Sequence, residues 1–166
     1  MKMHKLRVLL TTMAALALLP ACQQDTSVQT FNQGPAAEPP EVASKDFGDH
    51  VLHFSSIPTS QLEADVARQY NISRSKSRAL LTVSIIRKEE GTPGVSVPGE
   101  VTVSANNLTG QIKNLSLRQI QEGEAYYYIG DVAVANNETL VFNIDAIPEN
   151  ETDSLSVRFM RQFYTN

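Results

Sequence analysis

Ala79-Leu80-Leu81-Thr82-Val83-Ser84-Ile85-Ile86 sets Ala79, Leu81, Val83 and Ile85 on one alternation and Leu80, Thr82, Ser84 and Ile86 on the other. Successive side chains of an extended chain point to opposite faces, so one face of this stretch is wholly apolar. Its length and β-branched content mark a strand with a buried face. The same period recurs outward in both directions. His50, Leu52 and Phe54 alternate with Val51, His53 and Ser55, and Val101, Val103 and Ala105 with Glu100, Thr102, Ser104 and Asn106. Leu115 and Leu117 come next, then Tyr127 and Ile129 alternating with Tyr126 and Tyr128, then Leu140, Phe142, Ile144 and Ala146, and last Leu155, Val157 and Phe159. Turn formers separate them: Gly91-Thr92-Pro93-Gly94, Thr109-Gly110, Glu122-Gly123, Asn136-Asn137 and Pro148-Glu149-Asn150. About seven short strands at this spacing predict an all-β fold, an immunoglobulin-like β-sandwich. A small β-barrel is the alternative, because local pattern does not distinguish closure from stacking.

One segment departs from period two. Ser60-Gln61-Leu62-Glu63 has the letters of a capping box, with Leu62, Val66 and Tyr70 following at i, i+4 and i+8. This predicts one short helix crossing one end of the sandwich and ending at Asn71.

Upstream of the strands the chain reads as an address and a tether. Lys2, Lys5 and Arg7 precede an uncharged run from Val8 to Leu19, too short to span a bilayer and typical of a signal peptide over residues 1–21. Leu19-Pro20-Ala21-Cys22 resembles a bacterial lipobox, and Cys22 is the only Cys of the chain, so Cys22 is the expected lipidation site and membrane anchor. Gln23 in the next position favours the outer membrane, facing the periplasm; a soluble periplasmic protein is the alternative. Residues 22–45, with Pro35, Pro39 and Pro40 and no apolar period, form a flexible linker that as a coil would span about 25–30 Å. The β-sandwich domain then occupies 46–166.

Composition narrows the function further. With 166 residues and 42% hydrophobic content the chain has room for one core. A single Cys excludes an intrachain disulfide framework and a CxxC metal or redox site. Loss of residues 1–21 removes three basic groups and no acid, moving the formal net charge from −4 to −7. That balance argues against nonspecific nucleic-acid binding and against electrostatic adhesion to anionic lipid.

Candidate chemistry is sparse. His50 and His53 are three apart on a strand and so face opposite ways, which rules out joint metal chelation. Ser73-Arg74-Ser75-Lys76 has the letters of the S-x-x-K motif of penicillin-recognising enzymes but lacks the companion S-D-N and K-T-G motifs. Arg74, Lys76 and Arg78 therefore read as a basic loop that bridges to neighbouring acids or holds an anion. In Tyr126-Tyr127-Tyr128, alternation sends Tyr127 to one face and Tyr126 with Tyr128 to the other. The second pair is the candidate exposed aromatic strip for a ligand or partner. Five N-x-[ST] matches, at Asn71, Asn107, Asn114, Asn137 and Asn150, reflect turn composition. No catalytic residue, metal site or cofactor is expected.

Phe47-Gly48-Asp49-His50, Arg74-Ser75-Lys76-Ser77-Arg78-Ala79, Asn107-Leu108-Thr109-Gly110-Gln111, Tyr127-Tyr128-Ile129 and Arg161-Gln162-Phe163-Tyr164-Thr165-Asn166 resemble, in order and spacing, the domain-of-unknown-function 4426 family. The resemblance implies an exported bacterial all-β domain with no assigned activity or catalytic residue. The expectation is a non-catalytic interaction module, tethered to the cell envelope by Cys22 and facing an envelope protein. The alternative is a periplasmic domain binding a small ligand or glycan through Tyr126, Tyr128 and the Arg74–Arg78 loop.

Overall fold

A computed structural model describes residues 43–166. The signal segment, Cys22 and the linker up to residue 42 lie outside the described residues. Strand β1 (Ala43–Asp46) begins three residues ahead of the expected domain start. After it come β2 (His50–Pro58), a 3-10 turn (Thr59–Gln61), helix α1 (Ala64–Gln69), β3 (Arg78–Arg87), β4 (Val95–Val97) and β5 (Gly99–Asn107). Then follow β6 (Ile112–Lys113), β7 (Arg118–Glu122), β8 (Ala125–Ala133), β9 (Glu138–Pro148) and β10 (Leu155–Phe163). One sheet runs β1-β2-β3-β8-β7, with β4 also paired to β3; the other runs β10-β9-β5-β6. All pairings are antiparallel, and the sheets stack without closing, which is the expected sandwich. No helix among the described residues is long and apolar enough to cross a membrane.

The alternation seen in sequence becomes the core. Ala79, Leu81, Val83 and Ile85 of β3 are all fully buried, as are Leu140, Phe142 and Ala146 of β9 from the facing sheet. Phe159 of β10 joins the layers, its ring 4.9 Å from Phe142 and 4.8 Å from Phe54. The chain passes from one sheet to the other at Pro98-Gly99, between β4 and β5. Gly99 belongs there because a Cβ would lie 2.4 Å from the Ile147 carbonyl oxygen. Its main chain is also clamped: the Tyr128 hydroxyl accepts from the Gly99 N–H and donates to the Gly99 oxygen, each at 2.7 Å. Strand β6 pairs only with Ala105 and Asn106, so at this end of β5 a side chain takes the place of a neighbouring strand.

Three details differ from the sequence reading. Ten strands form instead of about seven, because β1, β4 and β6 are too short to show a period. The expected strand at Leu115–Leu117 is a crossing segment, and the strand lies downstream at Arg118–Glu122. Leu115 and Leu117 pack on the core while Ser116 runs over β8 at Gly130, where a Cβ would lie 2.5 Å from the Ser116 oxygen. The capping box does not form: α1 has Glu63 at its N-cap with no side-chain cap bond. Ser60 is held elsewhere, its N–H donating to the Ser75 oxygen and its own oxygen accepting from Arg74. Buried Thr59 beside it donates its hydroxyl to the Ser73 and Ser75 oxygens, so the chain turns onto the 73–75 loop before a helix can start. Asn71 ends the helix as expected, at φ +52. Asn137 and Asn150 are also left-handed, consistent with turn-forming roles for the N-x-[ST] asparagines.

Candidate functional site

Helix α1 lies over the outer face of the larger sheet, not merely at its end. Ala67, 2% exposed, is its buried contact. The larger side chains of the apolar face, Leu62, Val66 and Tyr70, flank this contact. Together with Leu80, Ile120, Tyr127 and Ile129 of the sheet they enclose a groove of about 290 Å³. Its polar groups are Gln69, Thr82 and Glu122. Gln69 Nε2 donates to the Tyr70 hydroxyl at 2.9 Å, and Arg118 bonds the Tyr70 carbonyl, which fixes the far end of the helix to β7. A concave, mainly apolar groove with few polar groups suits an apolar side chain or small molecule. Sequence showed both halves of it, the Leu62-Val66-Tyr70 face and the Tyr127-Ile129 parity, but not that they face each other across a gap.

The tyrosines alternate as expected, but the Tyr126–Tyr128 face is the inward one. Tyr128, 5% exposed, is a core residue whose hydroxyl is occupied by Gly99, with Gln119 Oε1 a further 3.2 Å contact. Tyr126 is half-buried, its N–H donating to Ser96 Oγ across to β4. These two therefore form no exposed strip: the inward face of β8 looks into the sandwich, and Tyr127 on the outward face lines the groove. Burial pushes the Tyr128 phenol above its ordinary pKa, against the opposing effect of the Gly99 hydrogen bond. It stays protonated and able to donate.

The basic loop is held internally. Arg78 pairs with Asp131 on the neighbouring strand, Arg74 bonds the Ser60 oxygen and Lys76 Nζ bonds the Asn166 oxygen at 3.0 Å. Arg74 and Lys76 nevertheless remain exposed. His50 is buried with Nε2 3.4 Å from Glu151, and half-buried His53 belongs to the opposite alternation. Among the described residues, no three His, Cys, Asp or Glu side chains gather as a metal site.

One polar cluster was not anticipated. Glu138 accepts from Lys113 Nζ at 2.7 Å, Asn107 Nδ2 at 3.1 Å and the Ala135 N–H at 2.8 Å. Asn107 Oδ1 in turn accepts from the Thr109 N–H and hydroxyl and from the Gln111 N–H. The Asn107–Gln111 motif thus builds a rigid loop and ties it to the start of β9. Burial raises the Glu138 pKa, but Lys113, the Ala135 N–H and Asn107 together outweigh it and hold the carboxyl below its usual range. A carboxyl with a lowered folded pKa adds stability at neutral pH, and that stability is lost as pH falls through the lowered value. Glu138→Gln is expected to cost about 1–3 kcal/mol at about pH 7, with the gap to the parent narrowing by about pH 3 in urea titrations. A gap independent of pH would contradict the assignment.

The fold defines a class, two-sheet antiparallel sandwiches with one helix laid across an outer face. Within it, the chain belongs to the family described as domain of unknown function DUF4426, which it matches over residues 44–166. A DUF4426 family protein from Pseudomonas aeruginosa PAO1, of known crystal structure, is 28% identical with a TM-score of 0.62, over 75% of this chain and 96% of that one. FetP of uropathogenic E. coli strain F11 shares the fold at 10% identity and a TM-score of 0.53, over 76% of this chain and 95% of that one. No curated protein matches the chain.

Proposed function

We propose that this protein is an exported lipoprotein of the bacterial envelope, anchored at Cys22 in the outer membrane. In this reading its sandwich is a non-catalytic interaction module facing the periplasm. The observation that carries it is the groove between α1 and the sheet, an apolar recess whose helical wall is tied to β7 by the Arg118 bond to the Tyr70 oxygen. An envelope protein that places an apolar side chain there would gain buried area with little rearrangement of the domain.

The test is photo-crosslinking in cells from position 66, on the groove rim, and from position 102, exposed on the other sheet. A discrete protein adduct from position 66, absent from 102 and lost in Ile120→Glu, is the expected result. Loss or weakening of the adduct in Cys22→Ala would tie it to the anchor. Equal adducts from both positions, or none, would overturn the reading. A small added mass in place of a protein would transfer the groove to a small ligand.

A further inference from the structure

The acidic net charge is not spread over the molecule. The turns and loops 46–49, 88–94, 122–124 and 149–154 hold nine acids against one base, Lys88. Contacts of Lys88 with Asp46 and Asp49, of His50 with Glu151 and of the Glu149 N–H with Pro98 gather them at one end of the sandwich. At the other end lie 59–63, 71–77, 107–111 and 134–137 and the last residues 164–166, which hold one acid, Glu63, against Arg74 and Lys76. These too are joined, by Lys76 to Asn166, the Thr165 N–H to Asn136, the Val134 N–H to Ser77 and Asn107 to Glu138. This second end exposes Arg74 and Lys76. Its apolar side chains are the most exposed of the domain: Ile112 at 83%, Leu108 at 69% and Tyr164 at 65%.

The direction of β1 bears on which end faces the anchor. Ala43 pairs with Phe54 at the middle of β2, and β1 ends with Asp46 opposite Val51. β1 runs from there toward the acidic end, so its first residue is the end of the strand nearer the basic, apolar loops. We infer that this end of the domain rests on the membrane that anchors the chain. Leu108, Ile112 and Tyr164 enter the headgroup region, and Arg74 and Lys76 lie against lipid phosphates. The whole-chain charge had argued against such adhesion, but net charge governs the far field, while contact depends on the end presented. Three apolar side chains and two cations are too few to hold a free domain on lipid. A linker of the expected reach makes the contact intramolecular, at an effective concentration in the millimolar range. The Asn107 network supports insertion because the tip is ordered before it meets the bilayer.

This inference rests on the anchored reading above, and its test separates the two. The chain has no Trp and a single Cys, so Ile112→Trp gives one fluorophore and Cys22 one coupling point. The mature protein is coupled through Cys22 to a maleimide lipid in vesicles of phosphatidylethanolamine and phosphatidylglycerol at about 3:1. The coupled Ile112→Trp protein is expected to show a blue shift and quenching by brominated lipid, while Glu124→Trp at the acidic end shows neither. Arg74→Glu with Lys76→Glu should reduce the shift, with circular dichroism confirming the fold. An unshifted Ile112→Trp in folded, coupled protein, or an equal shift at position 124, overturns the inference. So does a photo-crosslinker at 112 that captures protein instead of lipid in cells. Coupling here is chemical, so an unmodified Cys22 in exported protein, read by its mass, would remove the anchored reading without altering the vesicle result.

Discussion

Phe142→Ala is expected to lower the free energy of unfolding by about 3–5 kcal/mol. The side chain is fully buried at the centre of β9, and its ring stacks on Phe159 at 4.9 Å with 16° between planes. Phe159 in turn touches Phe54, so the three rings join both sheets. Truncation removes the buried ring and leaves a cavity whose walls are strands in two ladders, which limits collapse into the space. A domain of this size has about 5–15 kcal/mol in total, so the variant sits near the edge of folding. Urea titration measures the loss, and Phe142→Leu, which refills most of the volume, should recover more than half of it. A loss below about 1 kcal/mol would mean that the ring stack is not central to the core.

Gly99→Ala should be the next most damaging single change, at about 3 kcal/mol. The added methyl would meet the Ile147 oxygen at 2.4 Å and Ile85 Cδ1 at 2.9 Å. Neither neighbour can withdraw easily, since one is main chain in β9 and the other is in the closed core. Relief by shifting Gly99 would break its two bonds with Tyr128. Tyr128→Phe alone should cost about 1–2 kcal/mol, because it leaves the Gly99 N–H and oxygen unsatisfied. The double variant should cost less than the sum of the two, since both act at one point of the fold. Strict additivity would show that the clamp and the close approach are independent.

How far the sequence carried the argument depends on what made each feature. Strands such as β3 and β9 were legible because burial repeats every second residue over many positions. Leu115-Ser116-Leu117 shows the same alternation for a different reason, as a crossing segment that packs two leucines on the core. Its counterpart signal is Gly130, which no local window connects to it. Ser60–Glu63 shows tertiary bonds to the 73–75 loop overriding a local cap. The basic loop was readable as a bridge, as Arg78 with Asp131 shows, though Arg74 and Lys76 found main-chain oxygens. The tyrosine alternation was read correctly, but its exposed side was not, because both faces of β8 are covered and neither looked polar. The groove and the two charged ends arise only when distant loops are brought together.

The order in which strands pair has a consequence for how the protein is made. Ala79 pairs with Val132 and Val101 with Ala146, so each sheet is completed by a strand from the last third of the chain. Before β8 and β9 are synthesised, the earlier strands have only each other as partners in small, open ladders. Loop closure over such separations places a sandwich of this kind among slow folders, in the millisecond-to-second range. A nascent chain therefore remains unfolded through most of its synthesis, the state that passage through a narrow export channel would require in the anchored reading proposed above.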